Sequence, residues 1–148
     1  HLLLSHLSFQ EDHIEQLINQ LYENHLYNED GRQVLLAYQD QIYGFIHSDY
    51  YQMIKEASYI YKEKPFSYYD KNLDQVIHGI FDLVFVYKDQ LYVLDYKTDR
   101  ISKNNSEDAL IEKHKVQLNY YQRVLKDMYK QDIKAIVYYL HISKGVEF

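Results

Sequence analysis

The sequence predicts an α/β (α+β) fold in which a helical N-terminal half precedes a mixed central sheet of about four or five strands flanked by helices. Apolar residues recur at helical spacing up to residue 57, β-branched and aromatic residues dominate from 59 to 97, and a long helical pattern with one more apolar strand follows. A chain of 148 residues encloses one hydrophobic core, so we expect a single domain over residues 1–148.

Helical patterns fill the N-terminal half. A first helix is predicted from Glu11, with Asp12 as its cap, because apolar residues follow the i, i+3, i+4, i+7 spacing of one face at Ile14, Leu17, Ile18 and Leu21. A second helix is indicated by Leu35, Tyr38, Ile42, Phe45 and Ile46. Ser48 or Asp49 is expected to cap a short third helix that runs to Ala57.

Strand patterns begin after this helical half. The alternating segment Tyr59 to Tyr69 predicts a strand, with Pro65 at an edge or an end. Val76 to Tyr87 and Leu91 to Lys97 are separated by three polar residues and predict a hairpin. A helix over Asp108 to Lys130 and a last core strand over Ile133 to Leu140 complete the sheet and its cover.

Composition excludes several classes of protein and site. The net charge of −6 argues against a surface that is basic throughout, and the absence of cysteine excludes disulfides, thiolate zinc sites and iron–sulfur clusters. A cysteine-free chain fits a reducing compartment, so we expect a cytoplasmic location. Apolar runs fall short of the roughly 18 residues of a membrane span. Because the chain starts at His1 rather than at a methionine, we expect it to be an excised part of a larger protein.

The basic residues are concentrated in the last third. Residues 1–96 hold six basic and fifteen acidic side chains, whereas residues 97–148 hold ten basic and seven acidic ones. A polyanion would therefore meet the C-terminal third, through Arg100, Lys103, Lys113, Lys115, Arg123, Lys126 and Lys130. An ordinary solvated helix face explains the same pattern equally well.

Three charged residues stand within the apolar strands of the predicted hairpin: Asp82, Asp95 and Lys97. If the turn has an even number of residues, antiparallel pairing puts Asp82 directly across from Asp95. Opposed Cβ atoms lie about 4.5–5.5 Å apart, so the two carboxylates need a neutralising cation, and hard oxygen ligands suit Mg²⁺ or Mn²⁺. Alternation puts Lys97 on the same face as Asp95, an arrangement suited to metal-assisted hydrolysis. Alternatively, the acids are ordinary strand-end residues, and Lys97 pairs with one of them at the surface.

These residues resemble the RecB-like nucleases of the PD-(D/E)xK superfamily. Gly79 to Asp82 is similar to the GxxD motif of that family, Asp95 to Asp99 to its DYKTD signature, and Gln117 with Tyr121 to its QxxxY motif. Glu63 to Phe66 resembles the entry into the first core strand, and His1 to Leu7 the segment that carries a metal-binding histidine. Within the family, the order of motifs is most similar to the C-terminal nuclease domains of AddA-type (RexA-type) helicase–nuclease subunits.

The resemblance implies a restriction-endonuclease-like core and a role for each matching residue. Asp82, Asp95, the backbone carbonyl of Tyr96 and His1 would hold Mg²⁺, with Mn²⁺ as a substitute and no iron–sulfur cluster. Asp82, Asp95 and Lys97 would be catalytic, and Gln117, Tyr121 and Glu63 would support the site or contact DNA.

The same resemblance implies a DNA exonuclease that processes single-stranded ends in double-strand break repair by recombination. Its partners would be DNA, the helicase region of the same longer chain and an AddB-type subunit, without a membrane. A catalytically inactive docking module in a repair complex is the main alternative. A small-molecule phosphohydrolase is a third interpretation, which the absence of a glycine-rich phosphate loop disfavours.

Overall fold

The structure, a computed structural model, describes residues 2–9, 14–26, 28–100 and 106–148. Within these ranges five strands form one mixed sheet in the order β1-β2-β3-β4-β5, in which only the β3–β4 pair is parallel. The strands are β1 Tyr59–Asp70, β2 Gln75–Tyr87, β3 Gln90–Lys97, β4 Ile133–Tyr139 and β5 Lys144–Glu147. The helices are α1 Leu2–Ser5, α2 Ile14–Glu23, α3 Glu29–Ala37, α4 Gln39–Ile46, α5 Asp49–Lys55 and α6 Glu107–Tyr129. The predicted fold class is confirmed.

The second predicted helix is two helices. Tyr38 ends α3 and precedes α4 with φ −97° and ψ 5°, and its N–H bonds the carbonyl of Leu35 at 3.1 Å, which tightens the last turn and redirects the chain. The cap of the next helix is as predicted, because the Ser48 hydroxyl accepts a hydrogen bond from the Tyr51 N–H at 3.2 Å. Glu11 and Asp12, the predicted start of the first helix, lie outside the described residues.

The hairpin between β2 and β3 has the even turn that brings the acidic residues level. Tyr87 pairs with Gln90, so the turn consists of Lys88 and Asp89 alone. Both turn residues have positive φ, 48° and 62°, as a type I′ turn requires. Paired residues extend to Leu83 opposite Leu94, and the next step of this register is Asp82 opposite Asp95.

The sheet separates two apolar layers. The N-terminal helices pack on one face, in a cluster that includes Phe45, Leu83, Phe85, Leu94 and Tyr138. The long helix α6 packs on the other face, against a cluster that includes Val84, Val93, Leu118, Val124 and Val137. Alternating side chains of β2, β3 and β4 thus enter opposite layers, which accounts for the nearly continuous apolar sequence of these strands.

The outer half of the β1–β2 hairpin changes face at Glu63 and Asp82. Leu83 belongs to the layer under the N-terminal helices, yet Phe81, two residues before it, belongs to the α6 layer. Strict alternation would put both on one face. Glu63, opposite Asp82, has φ 50° within β1, and the register is the same on either side of it. This local rotation brings the end of the hairpin over α6.

One strand of the sheet was not predicted. Ile133 to Leu140 was predicted as the last strand, but β4 ends at Tyr139, a 3-10 turn covers Leu140–Ile142, and β5 returns antiparallel to β4. Four residues with a glycine among them carry no strand periodicity, so the sequence contains no signal for β5. Among the helices of the described ranges, none combines the length and apolar character needed to cross a bilayer.

Candidate active site

The first part of the site forms where β2 and β3 stop pairing. The Asp82 carboxylate accepts a hydrogen bond from the Tyr96 N–H at 2.9 Å. The N–H and C=O of one strand residue point to the same side of the strand, so the Tyr96 carbonyl also faces the end of the β2 pairing. A side-chain carboxylate and a main-chain carbonyl therefore meet at the opening of the hairpin.

The second part is an ion pair on β3. The Lys97 ammonium lies 2.7 Å from a carboxylate oxygen of Asp95, and their side chains are only 19% and 7% exposed. The two residues share a face of the strand, as alternation predicts. The interpretation of Lys97 as partner of a surface acid does not fit, because this pair is largely buried.

Helix α6 supplies the third part. Gln117 accepts a hydrogen bond from the Lys97 ammonium at 2.9 Å and donates one to the Tyr121 hydroxyl at 3.0 Å. The predicted i, i+4 pair thus faces the sheet beside the ion pair. Burial raises the pKa of Tyr121; the nearby Asp95 and Asp82 raise it further, while Gln117 and Lys97 lower it. Both acids therefore act on the same hydroxyl.

Glu63 lies beside this cluster on the edge strand. Its φ of 50° is unusual for a residue with a side chain within a strand. Burial, with the neighbouring carboxylates of Asp82 and Glu63, raises the pKa of the Tyr96 hydroxyl well above its usual value, so that the hydroxyl stays protonated. Glu63 thus adds negative charge near the end of the hairpin, and strained backbone of this kind concentrates at functional sites.

The donors at the hairpin fit a hard divalent cation. Carboxylate oxygens of Asp82 and Asp95 and the Tyr96 carbonyl are the ligand types that Mg²⁺ prefers, and it commonly uses one or two carboxylates and keeps several waters. Within ranges 2–9, 14–26, 28–100 and 106–148, no group of three or more His, Cys, Asp or Glu side chains is arranged to hold a metal ion. His1, the fourth predicted ligand, lies outside the described residues.

The predicted basic residues differ in their surroundings. Arg123 pairs with the buried Asp70 at 2.6 Å and Lys126 with Asp132 at 2.9 Å. Lys113 and Lys115 are exposed on α6, and Lys113 lies one turn before Gln117. Arg100 donates to the Tyr38 hydroxyl at 3.3 Å. Lys103 is outside the described residues.

One group of polar residues next to the lysine was not predicted. His114 on α6 is 5% exposed and lies between the Tyr139 hydroxyl and the Asp99 carboxylate. The available signal was its position, three residues before Gln117 on the same helical face. That spacing is also typical of an ordinary core residue, and only the tertiary structure brings β4 to it.

Comparison with known proteins decides the family. The PD-(D/E)XK nuclease superfamily matches residues 1–147. The chain belongs to this superfamily. Its similarity to an ATP-dependent helicase/nuclease subunit of Staphylococcus saprophyticus is 35% identity over 97% of this chain, and to the corresponding protein of Staphylococcus haemolyticus 29% over 97%. In each case it covers 13% of the relative, so this PD-(D/E)XK chain spans about an eighth of these proteins.

The resemblance to this superfamily and to AddA-type subunits is confirmed by these matches. PD-(D/E)XK nucleases typically use divalent metals, in agreement with the oxygen donors at the hairpin. Among solved structures, a protein of Vibrio cholerae, VC1899, aligns with 86% of this chain and 33% of its own, at 11% identity and a TM-score of 0.43. That likeness is too low to bear on the assignment.

Proposed function

We propose that this chain is a Mg²⁺-dependent deoxyribonuclease domain that hydrolyses phosphodiesters in single-stranded DNA. The observation that carries the proposal is the cluster of Asp82, Asp95 and Lys97, in which the lysine contacts Asp95 at 2.7 Å and Gln117 at 2.9 Å. The superfamily match and the helicase/nuclease relatives support the same reaction.

The chemistry divides among the donors of the site. Asp82, Asp95 and the Tyr96 carbonyl would hold Mg²⁺, or Mn²⁺ in its place, with His1 as a further ligand. The bound cation would supply Lewis acidity toward the phosphate and a more acidic water. The Lys97 ammonium, held by Asp95 and Gln117, would orient the attacking water and offset negative charge in the transition state. No residue moves far, because the lysine is already fixed.

The shape of the site favours a nucleic acid over a small phosphoester. The cluster lies at the open end of a hairpin beside an exposed helix rather than in a glycine-rich phosphate loop. Lys113, exposed one turn before Gln117, would meet a neighbouring phosphate of a longer substrate. Gln117 and Tyr121 themselves would support Lys97 and contact the DNA backbone, with Glu63 in a supporting role at the strand.

We place this domain in a longer ATP-dependent helicase–nuclease that processes DNA ends during recombinational repair. The relatives named above carry both activities in their names, and this chain matches about an eighth of their length. The helicase region of the same protein would feed single-stranded DNA to the hairpin, with exonucleolytic cleavage as the result. An AddB-type subunit would be the second partner.

The decisive experiment measures cleavage of an end-labelled single-stranded oligonucleotide in Mg²⁺ and in Mn²⁺. We expect cleavage that is lost with a chelator and in Asp95→Asn, which removes the charge while keeping the shape. Asp89→Asn, in the exposed turn of the same hairpin, is the matched control and should cleave normally. A folded wild-type chain that binds the oligonucleotide without cutting it, with either metal, would instead favour the docking module.

A further inference from the structure

One buried histidine adjoins the site and has no part in the chemistry above. His114 lies on the sheet-facing side of α6, one turn before Gln117, and is 5% exposed. Its Nδ1 is 3.0 Å from the Tyr139 hydroxyl on β4, and its Nε2 is 3.5 Å from an Asp99 carboxylate oxygen. The imidazole thus connects helix, strand and the segment that follows β3.

The neutral ring satisfies both neighbours. The Tyr139 hydroxyl can donate to Nδ1 while the proton on Nε2 points toward Asp99. Burial and the positive charge of Lys97 lower the pKa of His114, with Lys113 acting the same way and Asp99 opposing them. Burial, with Asp99, Asp95 and Glu107 nearby, raises the pKa of Tyr139 to about 12, so the hydroxyl remains a donor.

Both neighbours of the histidine are tied to Lys97 through the backbone. Tyr139 pairs with Lys97 in the parallel β3–β4 register, so their side chains stand side by side on the α6 face. Asp99 follows Lys97 by two residues, just after β3 ends. Restraining Tyr139 and Asp99 therefore restrains the end of the strand from which the lysine projects.

We propose that neutral His114 is a positioning residue, which fixes the end of β3, and with it the Lys97 ammonium, by joining Tyr139 to Asp99. The inference rests on the proposed function only in its kinetic consequence, since the effect on Lys97 itself is independent of cleavage. Gln117 then holds the ammonium directly, and His114 holds the backbone that carries it.

The test compares His114→Ala, His114→Gln and Tyr139→Phe with Leu110→Ala. Leu110 is buried one turn earlier on α6, so its truncation loosens packing without touching these hydrogen bonds. Tyr139→Phe removes one hydroxyl and keeps the fold if the histidine variants unfold. One readout is the rate at which an acid anhydride modifies the Lys97 amine, measured by peptide mass spectrometry relative to exposed Lys115. The other is single-turnover cleavage of single-stranded DNA in Mg²⁺.

We expect faster modification of Lys97 in His114→Ala and Tyr139→Phe, and near wild-type modification in His114→Gln, whose amide can accept and donate in the same places. For His114→Ala we expect kcat to fall about 10-fold with KM changed less than about 2-fold. The proposal is overturned if both variants match Leu110→Ala in Lys97 modification. If wild-type chain modifies as expected but does not cleave DNA, the proposed function fails while the positioning role stands.

Discussion

Gln117 on α6 accepts a hydrogen bond from the ammonium of Lys97 on β3 at 2.9 Å. Asp95 holds the same ammonium from the strand side, at 2.7 Å. A flexible lysine is thereby held between a helix and a strand before any substrate arrives. Its conformational entropy is lost on folding rather than during the reaction, which is the preorganisation that electrostatic catalysis requires.

Replacement of Lys97 by methionine should remove catalysis and spare metal binding. The ammonium offsets charge in the transition state, so we expect kcat to fall about 100- to 1,000-fold. Affinity for Mn²⁺, measured by calorimetry, should stay equal or increase, because a cation next to Asp95 has been removed. Lys134→Met, at an exposed position on β4, is the control and should leave both quantities unchanged. Substantial cleavage by Lys97→Met would exclude the lysine from the reaction.

Gln117 should matter more than its partner Tyr121. Gln117→Leu takes away the side-chain oxygen that holds Lys97 and should lower kcat about 10-fold in single-turnover cleavage. Tyr121→Phe deletes only the hydroxyl that steadies the glutamine, while the ring keeps its edge-on contact with Phe81 at 5.0 Å between centroids. We therefore expect a smaller loss. Equal losses in the two variants would show that the hydroxyl itself takes part.

The core of the site was predictable because its contacts are local. Asp82, Asp95 and Lys97 belong to one hairpin, and a two-residue turn with strand alternation is enough to bring them level. The Gln117–Tyr121 pair follows in the same way from helical spacing. By contrast, His114 contacts Tyr139, 25 residues away on another element, and no local period links the two.

The irregular parts of the fold were not predictable for a related reason. A smooth apolar pattern continues through Tyr38, where the helix breaks, because the break depends on how α3 and α4 pack rather than on their own sequence. The change of face at Glu63 is likewise hidden, since strand alternation assumes regular backbone and glutamate rarely adopts a positive φ. The residue itself was identified by resemblance, but its conformation was not.

Glycine at position 63 should be more stable than alanine, the reverse of the usual order in a strand. The left-handed conformation costs a residue with a Cβ about 1–2 kcal/mol, whereas glycine in a strand ordinarily costs about 0.5–1 kcal/mol relative to alanine. We expect Glu63→Gly to exceed Glu63→Ala by about 0.5 kcal/mol in the free energy of unfolding in urea. Glu63→Gln, which keeps the backbone cost, separates the carboxylate's effect on cleavage. A more stable alanine variant would contradict the strain.

Lys113 should contribute to DNA binding, and Lys115 should not. Lys113 precedes Gln117 by four residues and lies on its side of α6, while Lys115, two residues away from Gln117, projects to the opposite side. Lys113→Ala should weaken binding of single-stranded DNA and lower the slope of log affinity against log salt by about 1. Fluorescence anisotropy over a salt series measures both. Identical slopes for the two variants would remove this face of α6 from the DNA path.

Asp70 should make the stability of the fold sensitive to acid. Burial of this carboxyl group would raise its pKa, but hydrogen bonds from Tyr120, Asn72 and Leu73 and the charge of Arg123 outweigh that effect and lower it. Because the pKa in the folded chain is below its unfolded value of 3.8, the stabilisation is complete above that pH and is lost as the pH falls through the lower, folded value. Asp70→Asn should therefore denature at a lower temperature than wild type at pH 7, and the difference should shrink below pH 4. Asp74→Asn, at an exposed position in the adjacent β1–β2 turn, serves as the comparison. A difference between Asp70→Asn and wild type that stays constant down to pH 2 would mean that the ionised carboxylate is not what joins β1 to α6.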